Sequence, residues 1–204
     1  MLDSQQNTDS DQSFAAAIKS ATADVHQALE SLDVTSALMS PQLTMDAYRN
    51  YLQLMFDVIY DVEKHFFPRA NSIYSDLTFR MKTQLLSDDF CSLDGKPISP
   101  RPVFDTAIDS PAFIAGIIYV VEGSTLGGRY ILKNVESVLG LSATNGASFL
   151  AGYGNHTGSY WKNFLKDLTA YEKEHAAGQE IIDGALYAFG AIHKHFAKSS
   201  LNVV

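Results

Sequence analysis

Cysteine is nearly missing from this chain: Cys91 is the single one in 204 residues. An intrachain disulfide and a zinc site built on cysteine thiolates are therefore excluded. No histidine lies near Cys91 in sequence, so a histidine-activated thiol nucleophile is not expected there. Basic residues are also scarce, 15 Lys and Arg against 23 Asp and Glu, for a formal net charge of −8. Nucleic acid is a poor partner for such a chain, because binding it needs a basic face to displace counterions from phosphates. A small anionic ligand is not excluded, since it asks only for a few local cations. The apolar stretch Ala112–Val121 stops at Glu122, well short of the roughly 20 residues that a bilayer span requires. Met1–Gln12 is polar and acidic with no apolar centre, so no secretory signal is expected and a cytoplasmic protein is.

With 46% hydrophobic residues, the chain can build one sizeable core. Strand-like alternation is almost absent, while apolar residues recur at helical spacing. Phe14, Ile18, Ala21, Val25, Leu29 and Leu32 define a first helix after the cap candidate Ser13. A second starts at Thr44, carries Tyr48, Tyr51, Leu52, Met55, Ile59, Val62 and Phe66, and ends at Pro68. A shorter one is expected over Leu77–Ser87, a loop over Cys91–Pro102, and a short helical turn near Phe104–Ile108. Trp161 to Tyr171 and Ile181 to Phe196 mark the last two. The expectation is an all-α helical bundle over residues 13–198, with a tail at 1–12 and another at 199–204.

The most informative segment runs from Pro111 to Leu139. Ser110-Pro111 supplies an N-cap and a first-turn proline, and Gly140 sits where a helix stops. Inside it lie Gly116, Gly123, Gly127 and Gly128, which together forgo on the order of 4 kcal/mol of helix propensity relative to alanine. Gly116, Gly123 and Gly127 fall within about 40° of one another on a helix. Such a bare strip admits either a flat ligand or the backbone of another helix. Glu122, at the end of the apolar run, is expected to receive a buried hydrogen bond from a neighbouring helix.

His26 lies at the edge of the first helix's apolar stripe, on a face shared with Thr22 and Lys19. Lys19 is about 10 Å away along the axis. A planar anion bound at its centre by a neutral imidazole, with its acidic rim reaching a lysine, matches that spacing, and haem has those features.

Ala21-Thr22-Ala23-Asp24-Val25-His26, with Lys19 before it and Glu30 after it, resembles the proximal helix of haem oxygenases. Tyr119-Val-Val-Glu-Gly-Ser-Thr-Leu-Gly-Gly-Arg is similar to their distal helix, above all in the bacterial branch, as is Gly152-Tyr153-Gly154 followed by Thr157-Gly158 and Trp161. The resemblance runs from about residue 14 to 197. It implies an all-α fold with haem sandwiched between the two helices, and a reductant-dependent monooxygenase that opens haem to biliverdin, carbon monoxide and ferrous iron. It implies His26 as the axial ligand of the haem iron, and Glu30 as the group orienting its imidazole. Lys19, Thr22, Tyr119, Gly128, Arg129 and Lys133 are further haem contacts on this reading, some of them toward the propionates. Gly123 and Gly127 make room for bound oxygen. Ser124 stands where many family members carry a carboxylate that holds the proton-delivering water, so its hydroxyl or carbonyls freed by the broken helix would take that part. Lys194 and Lys198 receive no role from the resemblance. The implied partners are haem, oxygen, an electron donor such as a ferredoxin, flavodoxin or reductase, and a bilin acceptor such as a bacteriophytochrome. A non-catalytic haem carrier or sensor on the same fold, and an all-α scaffold that binds no haem, are the alternatives.

Overall fold

The computed structural model describes residues 14–199. The expected tail 1–12, the cap candidate Ser13 and residues 200–204 lie outside them. The helices are α1 (14–21), α2 (Ala23–Glu30), α3 (Asp33–Ser36), α4 (Met45–His65), α5 (Thr83–Ser92), α6 (Pro111–Leu139), α7 (Ser148–Ala151), α8 (Thr157–His175) and α9 (Gly178–Ser199). Among the described residues there is no strand, only isolated bridges from Ser142 to Asn145 and Gly146. The all-α expectation holds.

Ser110 caps α6 as expected, and Thr44, expected as the first residue of its helix, is instead the cap of α4. Thr44 Oγ1 accepts from the Ala47 N–H at 3.2 Å, and Ser110 Oγ accepts from the Phe113 N–H at 3.4 Å. Gly140, at φ 68°, closes α6 in the left-handed conformation that glycine tolerates best. α6 is the axis of the molecule. It is long and apolar enough to pass for a membrane span, but 61% of its apolar window is buried inside the protein, as in a core helix. α9 packs along it most extensively, with α4, α7 and α8 around the remainder.

The α6–α9 crossing is made by glycines. A Cβ on Gly116 would meet the Ala185 nitrogen at 2.6 Å and collide with the Ile181 carbonyl, and one on Gly184 would collide with the Phe113 carbonyl. These two backbones touch because neither glycine carries a side chain. Packing thus accounts for the first glycine of the α6 strip.

α4 holds the loops in place through a polar row spaced one turn apart. Gln53 Oε1 accepts from the Ile98 N–H at 2.7 Å. Asp57 accepts from the Arg101 N–H at 3.1 Å, from the Arg101 side chain at 2.8 Å, and pairs with His195 at 2.9 Å. Asp61 accepts from the Val103 and Phe104 N–H groups, both at 2.9 Å. Burial alone would raise the Asp57 carboxyl, but the hydrogen bonds from His195 and Arg101 outweigh it and hold the pKa below the usual range. On α5, Asp89 does the same for the start of α7, accepting from the Ser148 and Phe149 N–H groups at 2.7 and 2.9 Å.

Several boundaries differ from the sequence expectation, each for a local reason. The first helix breaks at Thr22, whose hydroxyl bonds back to the Ile18 carbonyl at 2.8 Å. The segment expected as one helix over 77–87 is a 3-10 turn, Leu77–Arg80, followed by α5, which extends to Ser92 and takes in Cys91. The turn expected near 104–108 shrinks to a single hydrogen bond from the Ile108 N–H to the Asp105 carbonyl at 3.3 Å, preceded by the Val103 and Phe104 N–H groups donating to Asp61. His193 and His195, expected in a C-terminal turn, lie inside α9.

Substituting Gly116 by alanine should lower the unfolding free energy by about 1–3 kcal/mol, the range for overpacking, when measured by urea denaturation. Helix propensity alone acts in the opposite direction by about 1 kcal/mol, so a stabilised variant would show that the crossing can relax.

Candidate functional site

The segment from Thr22 to Ser40, which contains α2, meets α6 at two points. At the first, the buried Thr22 and Tyr119 side chains interact. At the second, beyond α2 and α3, Asn134 Nδ2 donates to the Leu38 carbonyl at 2.8 Å and to the Ser40 carbonyl at 2.9 Å. The two points lie about 22 Å apart along α6, at 1.5 Å rise per residue, while α2 itself packs on α9. His26 lies one helical turn beyond Thr22, and Gly123 one turn beyond Tyr119. Glu30 and Gly127 follow one turn later on each side. Counted from the first contact, a histidine and a carboxylate on one helix thus have the same spacing as two glycines on the other.

α2 has an apolar stripe of Val25 and Leu29 but no buried residue. The His26 side chain is 55% exposed, with Nε2 3.7 Å from a Glu30 carboxylate oxygen. Its ring meets Phe189 of α9 edge-on at 5.6 Å. Lys19 is exposed one turn before Thr22. An imidazole held by an aromatic edge on one side and left half-open on the other is free to take a ligand.

On α6 the glycines divide. Nothing approaches within 4 Å of a Cβ built on Gly127, and only the Trp161 ring, at 3.6 Å, faces one on Gly123. Gly128 is buried and turned elsewhere, where a Cβ would sit 2.8 Å from the Leu150 carbonyl. It packs α6 on α7, away from the side that Gly123 and Gly127 share. Ser124 is exposed, and its hydroxyl donates to its own helix at the Val121 carbonyl, 2.7 Å away. Its lone pairs stay available to a water. Arg129 and Lys133 are exposed, the latter over the Tyr130 ring. Burial raises the Tyr119 phenol against the effect of Thr22, so it stays neutral as a tether.

One wall of the site is a row of aromatic rings. Tyr119 lies 5.4 Å from Trp161, Trp161 stacks on Phe164 at 5.6 Å, and Phe164 on Tyr74 at 4.7 Å. Trp161 was legible only as part of the family resemblance, and its place over Gly123 depends on how α8 meets α6. Next to it on α8, Lys162 and Lys166 stand exposed one turn apart.

Behind Gly123, Glu122 is 1% exposed and holds two buried cations. Arg80 Nη1 donates to Oε2 at 2.8 Å, Lys82 Nζ to Oε1 at 2.5 Å, and the Tyr153 hydroxyl at 2.9 Å. Arg80 also forks onto Asp76 at 2.7 and 2.8 Å. The Lys82 N–H meets Glu63, whose carboxyl burial pushes up. Burial opposes the Arg80 charge, but Asp76 and Glu122 outweigh it and hold the guanidinium pKa above its usual value. The buried hydrogen bond expected at Glu122 is present, although its donors come from the 80–82 segment and Tyr153 rather than a neighbouring α-helix.

A family model described as heme oxygenase matches residues 12–198. The chain belongs to the haem oxygenase family. Three solved structures are similar to it. The haem oxygenase of Neisseria meningitidis, studied with NO and CO bound, superposes with a TM-score of 0.76 at 23% identity, over 91% of each chain. That of Leptospira interrogans gives 0.75 at 19% identity, over 91% of this chain and 98% of the other. Haem oxygenase-1 of Synechocystis, in complex with haem, gives 0.74 at 16% identity, over 93% of both. A search of curated proteins finds no match. The protein is thus a haem-degrading oxygenase, with haem as substrate and cofactor. The residues present fit that group: a half-open imidazole, a glycine face that a Cβ would fill, and exposed cations at the rim. Among the described residues no cluster of His, Cys, Asp or Glu could hold a separate metal ion.

Two measurements test this geometry. Glu122→Gln leaves Arg80 and Lys82 without their shared charge and should cost about 3–5 kcal/mol of stability, read from chemical denaturation. A loss under about 1 kcal/mol would show that water replaces the carboxylate. Gly127→Ala should raise the stability of the haem-free protein by up to about 1 kcal/mol through helix propensity, yet weaken haem binding. Unchanged haem affinity would take Gly127 out of the site.

Proposed function

We propose that the chain opens haem oxidatively to biliverdin, carbon monoxide and ferrous iron, using oxygen and electrons from a separate donor. The observation that carries this reading is the division of the α6 glycines. Gly116 and Gly128 are explained by packing, whereas Gly123 and Gly127, one and two turns beyond Tyr119, are not. When bound, haem supplies the oxygen chemistry, so the protein needs no acid–base pair of its own.

What the chain contributes is position. His26 would hold the haem iron, and Glu30, one turn on, would orient the imidazole. Gly123 and Gly127 leave room on α6 for the group and its oxygen chemistry, and Trp161 borders that room from α8. Lys19, Arg129 and Lys133, with Lys162 and Lys166 from α8, are the cations for the propionates, and Thr22 and Tyr119 fix the spacing of the two helices. Ser124, already donating to Val121, accepts from a water rather than donating to it, and backbone carbonyls near the glycines add acceptors for the same water. The absence of a carboxylate at position 124 thus leaves a hydroxyl and carbonyls to hold the proton supply. The reading extends to a cytoplasmic enzyme that serves either iron acquisition or the supply of bilin to an acceptor such as a bacteriophytochrome.

His26→Ala should abolish the ligand-field and Soret signature of the wild-type ferric haem complex, and added imidazole should restore it together with ascorbate-driven biliverdin formation. A variant with wild-type spectra would mean that another residue holds the iron.

A further inference from the structure

Opposite the His26 side of α9 lies a second concave site. A cleft of about 480 Å³ opens between α9 and the loop before α6, lined by Pro102, Val103, Gly190, Ala191, Lys194 and Lys198, with Tyr187 and His195 at its edge. Its loop wall is held by the α4 polar row, Asp57 and Asp61 fixing residues 101–104, so the cleft is a standing feature of the fold. Lys194 and Lys198 are exposed one turn apart and form no ion pair among the described residues. The nearest carboxylate under the loop wall, Asp57, is paired with Arg101 and His195. In a chain of net charge −8, this is a concavity with an apolar floor and two cations on its α9 wall.

Its position gives the charge a use. Gly190 has no neighbour within 4 Å of a built Cβ, so a partner can approach the α9 backbone there. The residue before it, Phe189, is buried and points the other way, onto the His26 ring at 5.6 Å. A partner seated in the cleft is therefore separated from His26 by one helix, a thickness of about 10–12 Å with side chains. Haem degradation consumes electrons, which on the reading above come from a separate donor. We propose that this cleft is the docking site of an acidic one-electron carrier protein, which reduces haem iron across α9. This rests on the haem-oxidising reading above. In the step, the reduced carrier loses one electron and ferric iron gains it; no bond is made or broken. Electron-transfer encounters bury little surface and are steered by charge. An overall acidic enzyme repels an acidic carrier least at its patches of exposed cations, and Lys194 and Lys198 form the pair that lines a cleft.

The test uses the haem-loaded protein and the double variant Lys194→Glu, Lys198→Glu. Turnover is driven either by ascorbate or by a reduced, acidic [2Fe–2S] ferredoxin, and ferredoxin binding is measured by calorimetry. The expected result is an unchanged ascorbate-driven rate and Soret spectrum, with ferredoxin-driven kcat/KM lowered at least tenfold through KM. Ferredoxin binding should weaken by a similar factor, and the fall of the wild-type ferredoxin rate with added salt should disappear. Equal rates with ferredoxin, or equal losses with both reductants, would overturn the docking site. Lost affinity for biliverdin with intact ferredoxin kinetics would make the cleft a small-anion site instead, and also overturn it. Failure of the wild type to consume haem with ascorbate would sink the haem-oxidising reading rather than the docking surface.

Discussion

The carboxylate of Glu122 is the constraint on which the site depends. It is the last residue of α6 before the glycines, and it gathers Arg80, Lys82 and Tyr153 from two separate parts of the chain. A helix with glycines at 123, 127 and 128 has little intrinsic stiffness. Its geometry must be imposed from outside, and the buried charges do so on the side away from α2, while Leu150 does so at Gly128. Replacing such a cluster by apolar side chains of the same volume can be neutral in stability. Its value lies in direction: a carboxylate with two cationic partners admits few arrangements, whereas apolar contacts admit many.

The same cluster shapes the charge of the exterior. Arg80 and Lys82 are among the few cations of an acidic chain, and both are buried. The positive charge left for the surface falls on a handful of lysines and arginines, so each exposed pair of lysines one turn apart stands out against its surroundings. Lys162 with Lys166 and Lys194 with Lys198 are such pairs, on α8 and α9 respectively.

Much of this was legible in the sequence where the signal is local. The start at Thr44, the cap at Ser110, the stop at Gly140 and the apolar faces of α4, α6 and α9 follow from residues close together in the chain. What a local reading could not decide was which neighbour each glycine meets. On a helical projection Gly116, Gly123 and Gly127 look equivalent, yet one touches α9, one faces an indole and one faces open space. That distinction arises from the positions of α8 and α9, which lie far away in sequence. The polar row Gln53, Asp57 and Asp61 shows the same limit. Its one-turn spacing is visible, but its partners at 98–104 are extended backbone with no pattern of their own. The break at Thr22 depends on a hydroxyl that a helix can equally well tolerate.

The exposure of the helix that carries His26 has a further consequence. A cofactor that is kept for the life of a protein can be enclosed by well-packed helices, but one that is consumed must be replaced at every cycle. α2 has no buried residue and is only 8 residues long, too short to be stable alone. Segments with so few buried contacts open at a small fraction of the global unfolding free energy. The helix that carries the histidine is thus inexpensive to displace. Exchange of spent ligand for fresh requires no movement of α6, its charged clamp or the aromatic wall.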